Sequence, residues 1–403
     1  MAAGVIGRAL ATQLAAAARA FPAVLLTGPR RAGKTTLLRS VLPRAGYYLL
    51  EDPDLVGRVK ADPRGFLDDL APPVILDEIQ NAPELLAYVR TRVDAAPRRM
   101  GQWFLTGSQE TPLMQGVTES MAGRAAVLQL LPFSTLESRK VTLLTGGFPE
   151  VVARPRTRAL WFASYLQTYL ERDVRAVTAI RDLATFRRFI ALVASRTGQM
   201  LNRSDFAAPL GITVPTVTQW LSILEITGHV FIVPPYFTNF GKRLVKAPKI
   251  YLTDSGLACH LLGIETGAEL ERSPFLGALW EGFVAGELVK QQVNAGRRRE
   301  LYYFRDHQGL EVDFLMPAGN GRVRLVEARA SRTAFPRMAD GIARLAAATN
   351  VSAGGRSAKV GGGATIGAVV YRPSSSASTT VLRPGIKALS LAQLLAETAG
   401  VKR

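Results

Sequence analysis

Residues 28–35, Gly28-Pro29-Arg30-Arg31-Ala32-Gly33-Lys34-Thr35, have the types and spacing to hold a phosphate. They fit G-x-x-x-x-G-K-[ST] without a mismatch. Two glycines let the backbone bend so that its N–H groups face an anion. A helix opening at Lys34 would add the positive end of its dipole. On this reading residues Gly28 to Thr36 cradle the phosphates of ATP. Lys34 reaches the β- and γ-phosphates, and the Thr35 hydroxyl holds Mg²⁺. The bland alternative is a chance glycine-rich turn. Against it, Ala23-Val24-Leu25-Leu26 reads as a buried strand just before, and Thr36 to Val41 as the first turns of a helix just after.

Val74-Ile75-Leu76-Asp77-Glu78 is an apolar run ending in two carboxylates. Such a run suits the centre of a parallel sheet covered on both faces. Ligands in these folds sit beyond the carboxyl ends of the strands. Asp77 would then meet the Mg²⁺ held by Thr35, and Glu78 would orient or deprotonate the attacking water. Trp103-Phe104-Leu105-Thr106 reads as a third strand, followed by Gly107-Ser108-Gln109. Ser108, and after it Thr106, is the candidate for positioning that water or sensing the γ-phosphate. A strand-terminating turn is the alternative. Arg124 could reach a phosphate in a neighbouring subunit, which would make the protein a homo-oligomer. It could equally be a solvated surface arginine.

The elements that must position these groups follow from punctuation. A core from residue 1 to about 155 ends at the basic, Pro-containing stretch Arg154-Pro155-Arg156-Thr157-Arg158. Helices are expected over Trp161–Val177 and Leu183–Ser195. Residues 199–250 have the layout of a winged helix-turn-helix. Asn202 opens a short helix ending near Gly211, Thr213 caps a second over Thr216–Thr227, and Val230–Val233 and Lys249–Leu252 form a hairpin. Lys242, Arg243, Lys246 and Lys249 would lie in its wing, available to phosphates. The candidate reading helix carries no Lys or Arg, so a protein-contact role stands beside DNA contact. A strand is expected over Ile366–Tyr371 and a last helix over Leu389–Thr398.

With these motifs in view the chain resembles the bacterial and archaeal AAA-type ATPases that carry a C-terminal domain of unknown function 4143. The resemblance rests on GPRRAGKTTLL, VILDEIQNAPELL, FLTGSQ, GGFPE at 146–150 and YLQTYLERDV at 165–174. It continues through YLTDSGLACHLLG at 251–263, LWEGFVAGELVKQ at 279–291 and EVDFL at 311–315. It covers about residues 5 to 340. It implies ATP binding and hydrolysis but no defined cellular task. The region 272–403 further resembles a restriction-endonuclease-like fold, in which one strand supplies an acid and the next E-x-K. Asp313 and Glu327 match the acids, and Glu281 on the preceding helix could join them around a second Mg²⁺. Arg329 replaces the lysine and cannot accept a proton, so nuclease activity is disfavoured.

The expected architecture is therefore α/β in three parts. A P-loop, AAA+-like parallel-sheet domain (1–155) precedes a helical and winged-helix domain (156–271) and a nuclease-like domain (272–403). A length of 403 residues suits two or three domains. Fifty Lys and Arg against 32 Asp and Glu leave a formal charge of +18, which favours a polyanionic partner such as DNA. A single cysteine, Cys259, excludes an intrachain disulfide and fits a reducing, cytoplasmic setting. The His and Cys content is too low for a zinc site. No apolar run is long enough to span a membrane. The Ala-rich N-terminus reads as an amphipathic helix packed on the core rather than a signal peptide. The rival reading of the whole is a nucleotide-gated scaffold that recruits a protein partner.

Overall fold

The computed structural model describes residues 6–107, 121–170, 182–236, 247–319, 322–351, 366–374 and 379–399. An apolar run with no polar face is stable only when covered on both sides. Ala23–Leu26 is such a run; with Thr27, whose hydroxyl donates to the Leu128 carbonyl at 3.1 Å, it forms strand β1, buried throughout. It joins β2 (Gly46–Leu49), β3 (Val74–Asp77), β4 (Trp103–Thr106) and β5 (Ala125–Gln129) in the order β2-β3-β4-β1-β5. Every pairing is parallel, so all five carboxyl ends share one edge. Alternate residues of β1 face opposite layers, as the strand period requires. Val24 and Leu26 meet Leu10, Leu14, Leu37 and Leu38, from the segment around helix Ala11–Ala20 and from helix Lys34–Val41. Ala23 and Leu25 belong to a second cluster with Leu85 and Val89 of helix Leu85–Ala95.

The middle of the chain follows its capping signals. Asn202 accepts the Ser204 N–H at 3.2 Å and opens helix Arg203–Leu210, which Gly211 ends at φ 66°. Thr213 accepts the Thr216 N–H at 3.3 Å and caps helix Val214–Ile226. That helix starts two residues before the expected Thr216, in keeping with a cap at Thr213. Strands β6 (Val230–Val233) and β7 (Lys249–Leu252) pair antiparallel. Helix Leu183–Ser195 has the expected bounds. The expected helix Trp161–Val177 is helical over Arg158–Tyr165 and changes to a π turn over Leu166–Leu170. Residues 171–181 lie outside the described residues.

The last part is a six-stranded mixed sheet in the order β12-β13-β11-β10-β9-β8. Its strands are β8 (Tyr302–Arg305), β9 (Glu311–Pro317), β10 (Val323–Ala328), β11 (Ile366–Tyr371), β12 (Thr380–Arg383) and β13 (Ile386–Ser390). Helix Leu276–Asn294 covers one face, through Phe314, Val326 and Ala368. Helix Asp340–Val351 covers the other, through Leu315, Leu325 and Val369. Strand β13 was not expected, and it delays the final helix to Leu391–Ala399.

One apolar cluster runs from Leu131 and Phe133 through Trp220, Phe231 and Tyr251 to Val284, Leu288 and Leu394. It joins residues on both sides of position 271, so the middle and last parts share one core.

Candidate nucleotide site

The phosphate loop turns at the carboxyl end of β1. Gly28 (φ 135°), Arg31 (φ 61°) and Gly33 (φ 96°) take left-handed or related conformations, the alternation that builds an anion-binding concavity. A Cβ at Gly28 would lie 2.1 Å from the Leu130 carbonyl oxygen, so no other residue fits there. Lys34 is buried, and its Nζ donates to the carbonyls of Gly28 at 3.0 Å and Pro29 at 3.2 Å. The ammonium thus spans the loop mouth, where phosphate oxygens can replace the carbonyls.

Three hydroxyls converge on Asp77, the last residue of β3. Thr35 Oγ1 donates to Asp77 Oδ2 at 2.8 Å, and Tyr47 Oη donates to the same oxygen at 2.7 Å. Thr106 Oγ1, at the end of β4, donates to Oδ1. Thr106 also accepts the Glu78 N–H at 3.0 Å, which fixes Glu78 in a left-handed turn at φ 59°. Burial and the Asp77 charge raise the Tyr47 phenol well above its ordinary value, so it remains a donor. Gln80 donates to the Glu78 carboxylate. Lys34, Thr35, Asp77 and Glu78 line a cleft of about 410 Å³ with Arg30, Arg31, Gly33 and Thr36 on its loop side. A divalent ion would take Thr35 and Asp77 as its oxygen donors, a set that suits Mg²⁺.

Groups that the local sequence does not reveal complete the cleft. Glu51, ion-paired with Arg30 at 3.2 Å, and Pro149 and Glu150 of the GGFPE stretch line it. Asp254 positions that stretch: its Oδ2 accepts the Gly147 N–H at 2.7 Å. Behind the loop, Arg8 donates to the carbonyls of Ala32 at 2.7 Å and Leu131 at 2.5 Å and pairs with Glu137 at 2.9 Å. Burial pushes the Glu137 carboxyl up, but the Arg8 charge and the N–H groups of Ser134 and Ala9 hold it below the usual range. The ion pair is therefore intact at neutral pH.

Other candidates stand apart. Ser108 lies outside the described residues, as do Lys242, Arg243 and Lys246. Arg124 immediately precedes β5, at the edge of the sheet opposite the cleft, where it pairs with Asp94 at 2.5 Å. Lys249, expected in an exposed wing, is instead buried. Its strand turns inward, and its ammonium lies 2.9 Å from Glu281 Oε1, 2.6 Å from Glu311 Oε1 and 4.0 Å from Asp313 Oδ1.

The structure brings Glu281, Asp313 and Glu327 into one cluster with cations beside its carboxylates, although both Glu327 oxygens are buried without a hydrogen-bond partner. Asp313 Oδ2 accepts the Ala328 N–H at 2.9 Å and lies 3.6 Å from Arg329 Nη1. Arg329 Nη2 is 2.5 Å from Glu327 Oε2. Tyr251 donates to Glu281 at 2.6 Å. Burial, and then the Asp313 charge, push the Glu327 and Glu281 carboxyls above their ordinary range. Among the described residues no group of three His, Cys, Asp or Glu has metal-holding geometry. The expected second Mg²⁺ on Glu281, Asp313 and Glu327 does not fit this pocket, which carries its own cations. No helix among the described residues is long and apolar enough to cross a membrane.

Comparison with known proteins agrees with this layout. An AAA domain matches residues 20–138, a domain of unknown function (DUF8612) residues 136–268, and a domain of unknown function (DUF4143) residues 276–375. The uncharacterized protein Rv2008c of Mycobacterium tuberculosis is 36% identical over 316 residues, covering 76% of this chain and 70% of its own. Uncharacterized protein Mb2031c of Mycobacterium bovis gives the same figures. Among solved structures, the Walker-type ATPase paby2304 of Pyrococcus abyssi is 19% identical, covering 64% of this chain and 96% of its own, with a TM-score of 0.45. Likeness at that level adds nothing further. From the AAA match, the matching C-terminal domain and the extent of the mycobacterial identity, this chain belongs to the family of AAA-type P-loop proteins that carry a C-terminal domain of unknown function 4143.

Proposed function

We propose that the protein binds Mg²⁺-ATP in the cleft at the end of β1 and β3 and hydrolyses it. The observation that carries this is the 2.8 Å hydrogen bond from Thr35 to Asp77, the two groups that would share the metal. Phosphoryl transfer needs mainly positioning and charge neutralisation. Gly28 to Thr36 hold the phosphates, with Lys34 neutralising the transferred group. When bound, Mg²⁺ adds further charge neutralisation. Glu78, on a backbone fixed by Thr106, orients the water and takes its proton. K34A should abolish tight ATP binding. E78Q should keep binding and lose about 10²–10⁴-fold in turnover, the range for a positioned general base. Equal hydrolysis by wild type and E78Q would defeat the assignment.

We further propose a nucleic-acid partner, on the formal charge of +18. Affinity should fall steeply with salt, because released counterions drive such binding. Neutralising Lys242, Arg243 and Lys246 together should flatten the salt slope by up to about three contacts. The neutral exposed face of helix Val214–Ile226, with Thr218, Gln219 and Ser222, favours the rival reading, a protein-recruiting scaffold. Absence of DNA or RNA binding at low salt in either nucleotide state would decide for that rival.

A further inference from the structure

The phosphate loop has a contact from outside the AAA domain. Tyr165, at the end of helix Arg158–Tyr165, is fully buried, and its hydroxyl lies 3.3 Å from the carbonyl oxygen of Arg30. The same hydroxyl is 2.9 Å from His229 Nε2, and His229 Nδ1 is 2.8 Å from Thr227 Oγ1. Between those two residues, Gly228 abuts the loop, where a Cβ would come within 3.1 Å of Pro29 Cδ.

We propose that Tyr165 is a positioning residue of the phosphate site, aiming the Arg31 amide at the nucleotide's phosphates. This rests on the nucleotide reading above and adds the residue that orients one of its anion donors. In a planar trans peptide the C=O of one residue and the N–H of the next point in opposite directions. A hydroxyl that holds the Arg30 carbonyl outward therefore sends the Arg31 N–H the other way, toward the cleft that Arg31 lines. Arg31 sits at φ 61°, a conformation a non-glycine residue keeps only when its surroundings hold it.

Proton bookkeeping decides which arrangement does this. The imidazole of His229 is neutral at pH 7, because burial pulls it down to about 4. It therefore carries one proton. With that proton on Nε2, His229 donates to the phenol oxygen, and Tyr165 spends its own proton on Arg30. Thr227 then donates to Nδ1. The Ile223 carbonyl, 2.8 Å from Thr227 Oγ1, keeps its helix partner, the Thr227 N–H. The other tautomer draws the Tyr165 proton toward His229 and away from the loop. The relay thus links the loop to the turn that ends helix Val214–Ile226.

Y165F removes the hydroxyl and nothing else. Titrated with ADP in the absence of metal, the full chain should lose about ten-fold in affinity, the scale of one buried hydrogen bond. Turnover at saturating ATP should change far less than affinity. Nitrogen-15 spectra of the imidazoles, with His229 assigned from H229Q, should show the proton on Nε2. Equal ADP affinity of wild type and Y165F, or a proton on Nδ1, overturns the inference while leaving the nucleotide reading intact. A wild type that binds no ADP overturns both. Should Y165F fail to fold, T227V, which frees Nδ1, should weaken ADP binding in the same direction, and unchanged binding in a folded T227V overturns the inference.

Discussion

Asp254 ties together two stretches that are 107 residues apart: one carboxylate oxygen accepts the Gly147 N–H, and the other accepts the Leu257 N–H at 2.9 Å. The first bond holds the turn that carries Pro149 and Glu150 to the nucleotide cleft. The second caps helix Ser255–Leu261. Gly146 and Gly256 crowd this carboxylate and its neighbouring backbone so closely that neither tolerates a Cβ.

D254A should therefore cost stability twice. Loss of a cap costs about 1 kcal/mol, and a buried amide left without a partner costs about 1–3 kcal/mol. Urea denaturation should show a loss of about 2–4 kcal/mol in all. ADP affinity should fall as well, since the cleft wall is released. A stable D254A with native affinity would show that the turn holds itself.

Lys249 is the charge that the Glu281, Glu311 and Asp313 carboxylates share. Removing one partner of a buried ion pair costs about 3–5 kcal/mol, because the others are left uncompensated. K249A should be destabilised on that scale in denaturant melts. With the pocket filled from within, protein carrying K34A and D77N, to silence the nucleotide site and its metal donor, should bind no Mn²⁺ at one-to-one stoichiometry. Electron paramagnetic resonance of free Mn²⁺ checks this. Tight binding that D313N removes would restore the second metal site and reopen cleavage of nucleic acid.

His229 sets an acid limit. Its folded value of about 4 lies below the ordinary 6.5. The unfolded imidazole thus takes up a proton first, and the folded one only near pH 4. The stabilisation is complete above pH 6.5 and is lost as pH falls toward 4, at up to about 1.4 kcal/mol per pH unit. Subtracting the H229Q stability curve from that of wild type isolates this slope from the opposing carboxyls. A flat difference between pH 6.5 and 4 would mean that the imidazole is not shielded.

Arg124 can meet a neighbour's phosphate only in a head-to-tail stack, since it lies on the edge of the sheet opposite the cleft. In such an assembly R124A should lower turnover and leave nucleotide affinity intact. Mixing R124A with K34A protein should restore activity at hybrid interfaces. Light scattering that finds a monomer with full turnover rules the role out.

Elements that depend on neighbours in sequence are legible in the sequence alone. The glycine spacing at 28–33, the buried run of β3, the caps at Asn202 and Thr213 and the bounds of β6, β7 and β11 all follow from local chemistry. Contacts that depend on distant partners are not. Nothing around Tyr47 marks it as a donor to Asp77, and nothing around Arg8 marks it as the support behind Ala32. Lys249 looked like one more wing cation, because the carboxylates that draw it inward lie 32 residues or more along the chain. Strand β13 was missed because Ile386, Ala388 and Leu389 lead straight into a helix, leaving only a brief alternation about Lys387.

The apolar cluster from Leu131 to Leu394 bears on how such a protein can change over evolutionary time. A unit that buries its face against its neighbour cannot be traded between genes alone. Recombination near position 271 would exchange half of an interior and leave Trp220, Phe231 and Val284 facing strangers. Exchanging either segment by itself would cost the other its buried contacts.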